Sequence, residues 1–237
     1  RYVDGISGQD FYHKDAPEYF PDWIKTVPVE KKDDGVTNYV VCNNAATLFY
    51  LAQQACLTPH VWLSRVDKIH SPDLLIFDLD PAEQPFSFIC EIALRLKSHL
   101  ESNNLVPYVK LTGSRGLHIA VPIKRLYSFD FVRDFARGVA QSLVDDDPEN
   151  LTVEIRKEKR KGRLFIDINR NAFAQTAVAP YAIRAREHAP VAAPLFWDEL
   201  KKKDLTAQKY TIKNIFRRMS RIGDPWQDIM KSAKKLS

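Results

Sequence analysis

Asp78 and Asp80 close the run LLIFDLDP, residues 74–81, two apart in a stretch otherwise suited to a hydrophobic core. In an extended strand, side chains two apart share a face, so both carboxylates project together while Leu79 enters the opposite layer. Two ionised carboxylates this close repel, which raises one pKa unless a cation lies between them; a divalent metal lets both stay charged. A third aspartate, Asp167, lies in RLFIDIN with Phe165 on its own side and Ile166 and Ile168 opposite. If that strand lies beside LLIFDLD, three carboxylates meet on one face, the oxygen-rich set that Mg²⁺ or Mn²⁺ prefers. Sets of this kind hold two ions in phosphoryl-transfer chemistry, one lowering the pKa of an attacking hydroxyl and the other stabilising the leaving phosphate.

Other readings of the same residues remain open at this level. Asp78 can cap a strand end and Asp80, before Pro81, can begin an Asp-Pro turn. An aspartate pair after an apolar strand also occurs in haloacid-dehalogenase-type phosphatases, and GDPWQD at residues 223–228 mimics their late acidic motif. Against that, Pro81 and Ala82 stand where that family has Gly and Thr. KDDG at residues 32–35 matches the lysine motif of nucleotidyl ligases, but in a polar turn of a chain too short for a complete ligase it reads as chance.

A phosphate-rich substrate needs donors and cations. YVKLTGSRGLHIAVP brings Thr112, Ser114, Arg115 and His118 around Gly113 and Gly116. Glycines let the backbone approach a ligand, hydroxyls and amides hold phosphate oxygens, and Arg115 supplies charge. This is not a P-loop, and a plain hairpin turn would look similar. After Asp167 come Arg170, Arg184 and Arg186, spaced so that they can converge on a triphosphate or line a solvated edge. RKEKRKGR, residues 156–163, carries six basic residues and one acidic residue; leading directly into the Asp167 strand, it reads as a nucleic-acid backbone finger on a hairpin. Phe11 and Tyr12, beside His13 and Lys14, can stack on a base or pack in a core.

Elements must position these groups. NNAATLFYLAQQAC, residues 43–56, predicts a buried helix behind an Asn cap. VWLSRV and LLIFDLD predict strands, and FSFICEIALRLKSHL a helix. YVKLT and LHIAVPI flank GSRG as a hairpin, followed by the amphipathic helix FDFVRDFARGVAQSLV. LTVEIR and RLFIDI predict a strand pair joined by KEKRKG, and YTIKNIFRRM a late helix. Helices interleave with hairpins, so the expected class is α+β with mixed or antiparallel sheets flanked by helices.

The 237 residues, 45% hydrophobic, are enough for a real core, and a net charge of +5 suits a polyanionic partner. Three scattered cysteines indicate neither a disulfide framework nor a zinc knuckle and fit a reducing cytoplasm. No run reaches the roughly 18 apolar residues of a membrane span.

DFYHKDAPEYFPDW, NNAATLFYLAQQACLTPHVW, LLIFDLDP, KLTGSRGLHIAVP, KGRLFIDINRNAFAQTAVAPYAIRAR and APVAAPLFWDEL, taken in order, resemble the polymerase domain of bacterial ligase D and its stand-alone prokaryotic relatives, within the archaeo-eukaryotic primase superfamily. The likeness spans nearly the whole chain and implies one primase-polymerase domain over residues 1–237. It implies a template-dependent nucleotidyltransferase that fills gaps and extends DNA ends in non-homologous end joining. Ribonucleotides would be preferred over deoxyribonucleotides, with two Mn²⁺ or Mg²⁺ ions, Ku and a DNA ligase as partners, and a cytoplasmic, nucleoid-associated setting. Carried over by position, Asp78, Asp80 and Asp167 are metal ligands. His60, Thr112, Ser114, Arg115, His118, Arg170 and Arg184 meet the nucleotide. Phe11, Tyr12 and Lys14 contact DNA, as do Lys159, Arg160, Lys161 and Arg163 on a mobile loop. Spacing alone does not single out His60. Relatives often have Ser at Thr112 and Lys at Arg115. They also carry a segment ahead of the equivalent of RYVDG, with lysines for a 5′-phosphate; that segment is expected to be missing here.

Overall fold

The computed structural model describes residues 1–30 and 35–236; the first three residues of the KDDG match lie outside them. The chain forms two compact units, residues 1–59 and 60–237. In the first, β1 (Thr26–Glu30) pairs antiparallel with β2 (Val36–Val40), and α1 (Ala45–Gln53) follows. Asn44 caps α1 as expected, its side chain accepting from Thr47 N at 2.8 Å. Burial of α1 is not as expected. Its apolar residues surround the helix instead of forming a stripe, and only Thr47 is buried, while Leu48 and Phe49 are 53% and 73% exposed.

The second unit is built on a six-stranded sheet in the order β10-β5-β6-β4-β8-β7. Its strands are β4 (Leu74–Asp80), β5 (Tyr108–Leu111), β6 (Leu117–Pro122), β7 (Leu151–Thr152), β8 (Leu164–Asp167) and β10 (Pro194–Leu195). A separate two-stranded ribbon joins β3 (His60–Trp62) to β9 (Thr176–Val178). α2 (Phe86–Ser102), α3 (Phe129–Asp146) and α4 (Ile215–Ile222) complete the unit. The α+β class and the predominantly antiparallel, mixed sheet are as the sequence predicts.

Strand alternation decides the two faces. Leu75, Phe77 and Leu79 of β4 join Leu117, Ile119 and Val121 of β6, Val109 and Leu111 of β5, and Leu164 and Ile166 of β8 in one core with the inner stripes of α2 and α3. The opposite face is divided. At one end Ile76 and Ala120 pack under Leu63, Ala177 and Trp226; the other end carries the charged residues.

Two further expectations, the strand pair around the basic segment and the strand at VWLSRV, are corrected. LTVEIR and RLFIDI are not a hairpin: Leu151–Thr152 runs parallel to Leu164–Phe165, so the basic segment is a connection and not a finger. The arginines fold it onto itself. Arg160 Nε donates to Glu154 O at 3.0 Å and Arg163 Nε to Arg160 O at 2.9 Å, with a 3₁₀ turn at Lys157–Lys159. VWLSRV contributes only its first two residues to a strand, since β3 ends at Trp62. GDPWQD follows α4 as part of the scaffold, where Asp224 accepts from Tyr181 Oη at 2.6 Å.

Candidate active site

The hairpin β5-β6 and strands β4 and β8 align four polar side chains in one cross-strand row. Lys110 is the register partner of His118, His118 of Asp78, and Asp78 of Asp167. Directly opposed residues of antiparallel strands share a face, so all four project from the side away from α2 and α3. Asp80 stands one step along the same face, opposite Phe165. The condition set by the sequence, that RLFIDIN lie beside LLIFDLD, is met.

The charges in the row are interdependent. Burial pushes the Asp78 carboxyl up, but His118, Arg170 and Lys110 outweigh it and hold it below the usual carboxylate range. His118 Nε2 lies 3.4 Å and Arg170 Nε 3.7 Å from Asp78 Oδ2. Asp167 is shifted the other way: burial raises it, and the neighbouring charge of Asp78 adds to that, against hydrogen bonds from Asn169 N and Nδ2, each 2.8 Å. Asp80 is engaged on both oxygens, by Arg115 Nη2 at 2.9 Å and Arg160 Nη1 at 3.4 Å, and the Arg160 guanidinium lies 3.8 Å over the Phe165 ring. Burial draws Lys110 down to about 7 despite the attraction of Asp78.

The turn after β5 is tightly made. Thr112 Oγ1 donates to Gly116 O at 3.0 Å and accepts from Ser114 N and Gly116 N at 3.3 Å each. Gly113 has φ +67°, and a Cβ there would press on Arg184 Cγ and the Val191 backbone. Arg184 Nη1 in turn reaches Thr112 O at 3.4 Å, so Thr112, Ser114 and Arg184 are neighbours. Arg115 is drawn to Asp80, and Arg186 is exposed.

His60 enters from the ribbon. Burial draws its pKa down to about 4, with Arg184, Arg170, Lys110 and His118 adding to the effect. The unfolded chain takes up that proton near the ordinary value, so the stability contributed by neutral His60 is whole above pH 6.5 and is lost as pH falls toward 4; burial lowers His118 in the same direction. His60 alone should therefore cost about 2 kcal/mol of unfolding free energy between roughly pH 8 and pH 5. Urea denaturation across that range tests this: His60→Gln should flatten the profile, and an unchanged slope contradicts it.

Sequence reasoning passed over two residues of this assembly. Lys110 is one; the alternation in YVKL, which sets it on the His118 face, is its signal. The other is Asn171, 1% exposed, whose side chain accepts from Ile76 N at 2.8 Å and donates to Ile76 O at 2.7 Å and Ile168 O at 2.9 Å. It takes the place of a strand partner for β4 two residues before Asp78, next to Arg170. No local pattern announces it. Asn171→Ala leaves buried backbone groups unpaired and should cost roughly 2–4 kcal/mol in chemical denaturation; a loss below about 0.5 kcal/mol would mean that these bonds do not hold β4.

The remaining candidates are divided between the two units. Phe11 and Tyr12 belong to the first unit and are 45% and 64% exposed, with Lys14 Nζ 5.8 Å from the Tyr12 ring centre. Lys159 and Lys161 are exposed on the basic connection, while Arg160 and Arg163 are half-buried. Among the described residues, no group of three or more His, Cys, Asp or Glu side chains already converges as a metal cage. Asp80 faces its two arginines instead.

An α+β sheet that displays an acidic row flanked by arginines has close counterparts. The chain belongs to the LigD primase-polymerase domain family, whose sequence pattern matches residues 1–226. It is 32% identical over 227 residues to the multifunctional non-homologous end joining protein LigD of Mycolicibacterium smegmatis, covering 94% of this chain and 29% of that protein. To the bifunctional non-homologous end joining protein LigD of Bacillus subtilis it is 30% identical over 234 residues, covering 98% and 37%. It thus spans about a third of the length of these relatives. The polymerase domain of Mycobacterium tuberculosis ligase D, solved in complex with DNA, superposes with a TM-score of 0.90 at 29% identity, covering 98% of this chain and 83% of that one. The primase-like fold expected from the resemblance is the one observed.

Proposed function

We propose that this chain is a template-dependent nucleotidyltransferase that fills gaps and extends DNA ends in non-homologous end joining, with Ku and a DNA ligase as its partners. One observation carries the reading: Asp78 and Asp167, remote in sequence, are register partners on one face, with Asp80 beside them. The donor set suits divalent cations. It is all oxygen, and burial together with the like charge of Asp78 raises Asp167, a strain that a shared cation relieves. Asp78, Asp80 and Asp167 would hold two ions, Mn²⁺ or Mg²⁺, which when bound acidify a hydroxyl and stabilise charge on phosphate oxygens.

The chain's own residues do the rest. Arg170, Arg184, Arg115, His118, Thr112 and Ser114 hold the triphosphate, and His60 contacts the nucleotide. His118 turns Nε2 toward Asp78 at 3.4 Å, and its Nδ1 has no hydrogen-bond partner among the described residues. The α-phosphate is then presented to a primer 3′-hydroxyl, which displaces pyrophosphate. Phe11, Tyr12 and Lys14 stack and pair against the DNA, and Lys159, Arg160, Lys161 and Arg163 contact its backbone. Ribonucleotides are the preferred substrates in this reading.

Incubation with a gapped duplex, labelled nucleotides and Mn²⁺ tests it. Incorporation should follow the template base, whereas phosphate release from an aryl phosphate, or tight DNA binding without incorporation, would replace the reading. Replacing exposed Lys159 and Lys161 by Ala should weaken DNA binding and reduce the slope of log K against log salt by about 1–2. An unchanged slope would remove the connection from the DNA interface.

A further inference from the structure

Lys110 is buried to 1% exposure, and none of the roles above uses it. Burying an amine that can ionise is costly, and the attraction of Asp78 together with one bond to a carbonyl does not keep its pKa from falling to about 7; an apolar residue of the same length would be the stabler choice. Its placement suggests another purpose. From β5, as register partner of His118, it donates from Nζ to Val178 O at 2.8 Å. Val178 lies on β9 and is the register partner of His60 on β3. The bond therefore runs from the strand beside the acidic row to the ribbon that carries His60, and its donor end is the first member of that row.

We propose that Lys110 is a positioning residue: by holding the Val178 carbonyl it sets where His60 stands relative to Asp78 and Asp167. The inference rests on the reading of His60 as a nucleotide contact and adds the element that aligns it. Lys110 touches no reacting atom; it acts through the ribbon. A Lys here fixes the ribbon's distance from the sheet with one long, directional donor, which an apolar side chain of equal volume cannot do.

The test is a double-mutant cycle read by nucleotide binding, not turnover. With a fluorescent ribonucleoside triphosphate, Mn²⁺ and no DNA, Lys110→Met should raise Kd about tenfold in the wild-type background but about twofold or less in a His60→Ala background, as coupled neighbours behave. Circular dichroism and thermal melting should show an intact fold. Lys110→Gln, which keeps an N–H donor without the charge, should fall between wild type and Lys110→Met, and it carries the cycle if Lys110→Met does not fold. NMR of the histidine-labelled protein gives the direct readout. The His60 imidazole resonances should move in the Lys110 variants while those of exposed His13 and His188 stay in place. Equal losses in both backgrounds, no loss in either, or unmoved His60 resonances would each overturn the proposal. A wild-type protein that bound no nucleotide would sink the function proposed above, and the His60 resonances alone would then decide the tie.

Discussion

Asp167→Asn should abolish templated incorporation, by about a thousandfold or more, and leave the protein no less stable than wild type at neutral pH. The two halves of this result have one cause. Asp167 is raised by burial, and the like charge of Asp78 adds to the effect. A carboxyl whose pKa is higher folded than unfolded contributes stability below its unfolded value and forfeits it as pH rises through the folded one. At neutral pH its charge is thus a liability to the fold, which the proposed cation site would offset. Removing it relieves Asp78, while the neutral amide can still accept from Asn169. Asp78→Asn should also abolish activity but should not stabilise, because Asp78 is held below the ordinary range by His118 and Arg170. Rates on a gapped duplex and urea midpoints at pH 7 separate the two variants. An active Asp167→Asn would refute the catalytic assignment; an inactive but strongly destabilised one would refute the electrostatic account.

Gly116→Ala should be the most damaging single substitution in the hairpin, costing about 3 kcal/mol or more. A Cβ at Gly116 would fall inside the contact radius of the Leu79 carbonyl oxygen and 3.3 Å from Pro81 Cδ. Leu79 is the residue between the two aspartates, so the displaced backbone is the segment that aims both carboxylates. The glycine is needed for close approach of β4, whereas Gly113 is needed for its positive φ. Denaturation of Gly116→Ala measures the effect, and activity should fall further than the residual folded fraction explains. A variant within about 0.5 kcal/mol of wild type would mean that β4 yields freely there, against close packing of the sheet.

Where sequence reasoning reached this arrangement, it worked through local periodicity. The alternation of LLIFDLD decides that Asp78 and Asp80 share a face, and Leu79, fully buried in the helix-facing core, agrees. YVKLT and LHIAVPI around GSRG carry their own turn, so the hairpin is legible too. What periodicity does not carry is which remote strand lies alongside. Nothing within RLFIDI names β4 as its neighbour, and nothing within LTVEIR tells parallel pairing from a hairpin. Register between distant strands comes from the whole core, through the packing of Ile166 with Leu79 and the clamp of Asn171 on Ile76. The exposure of α1 failed for the opposite reason. An apolar composition suggests burial, but with only Thr47 covered the helix shows that composition does not say which surface is met.

Everything in the proposed chemistry depends on Asp78, Asp80 and Asp167 acting together on divalent cations. Manganese binding, followed by loss of the free-ion EPR signal with a ribonucleoside triphosphate present, measures that directly. The wild-type protein should take up two ions, Asp80→Ala and Asp167→Asn should each bind fewer, and Lys159→Ala on the exposed connection should bind as wild type does. Undiminished uptake of two ions by Asp167→Asn would contradict the account.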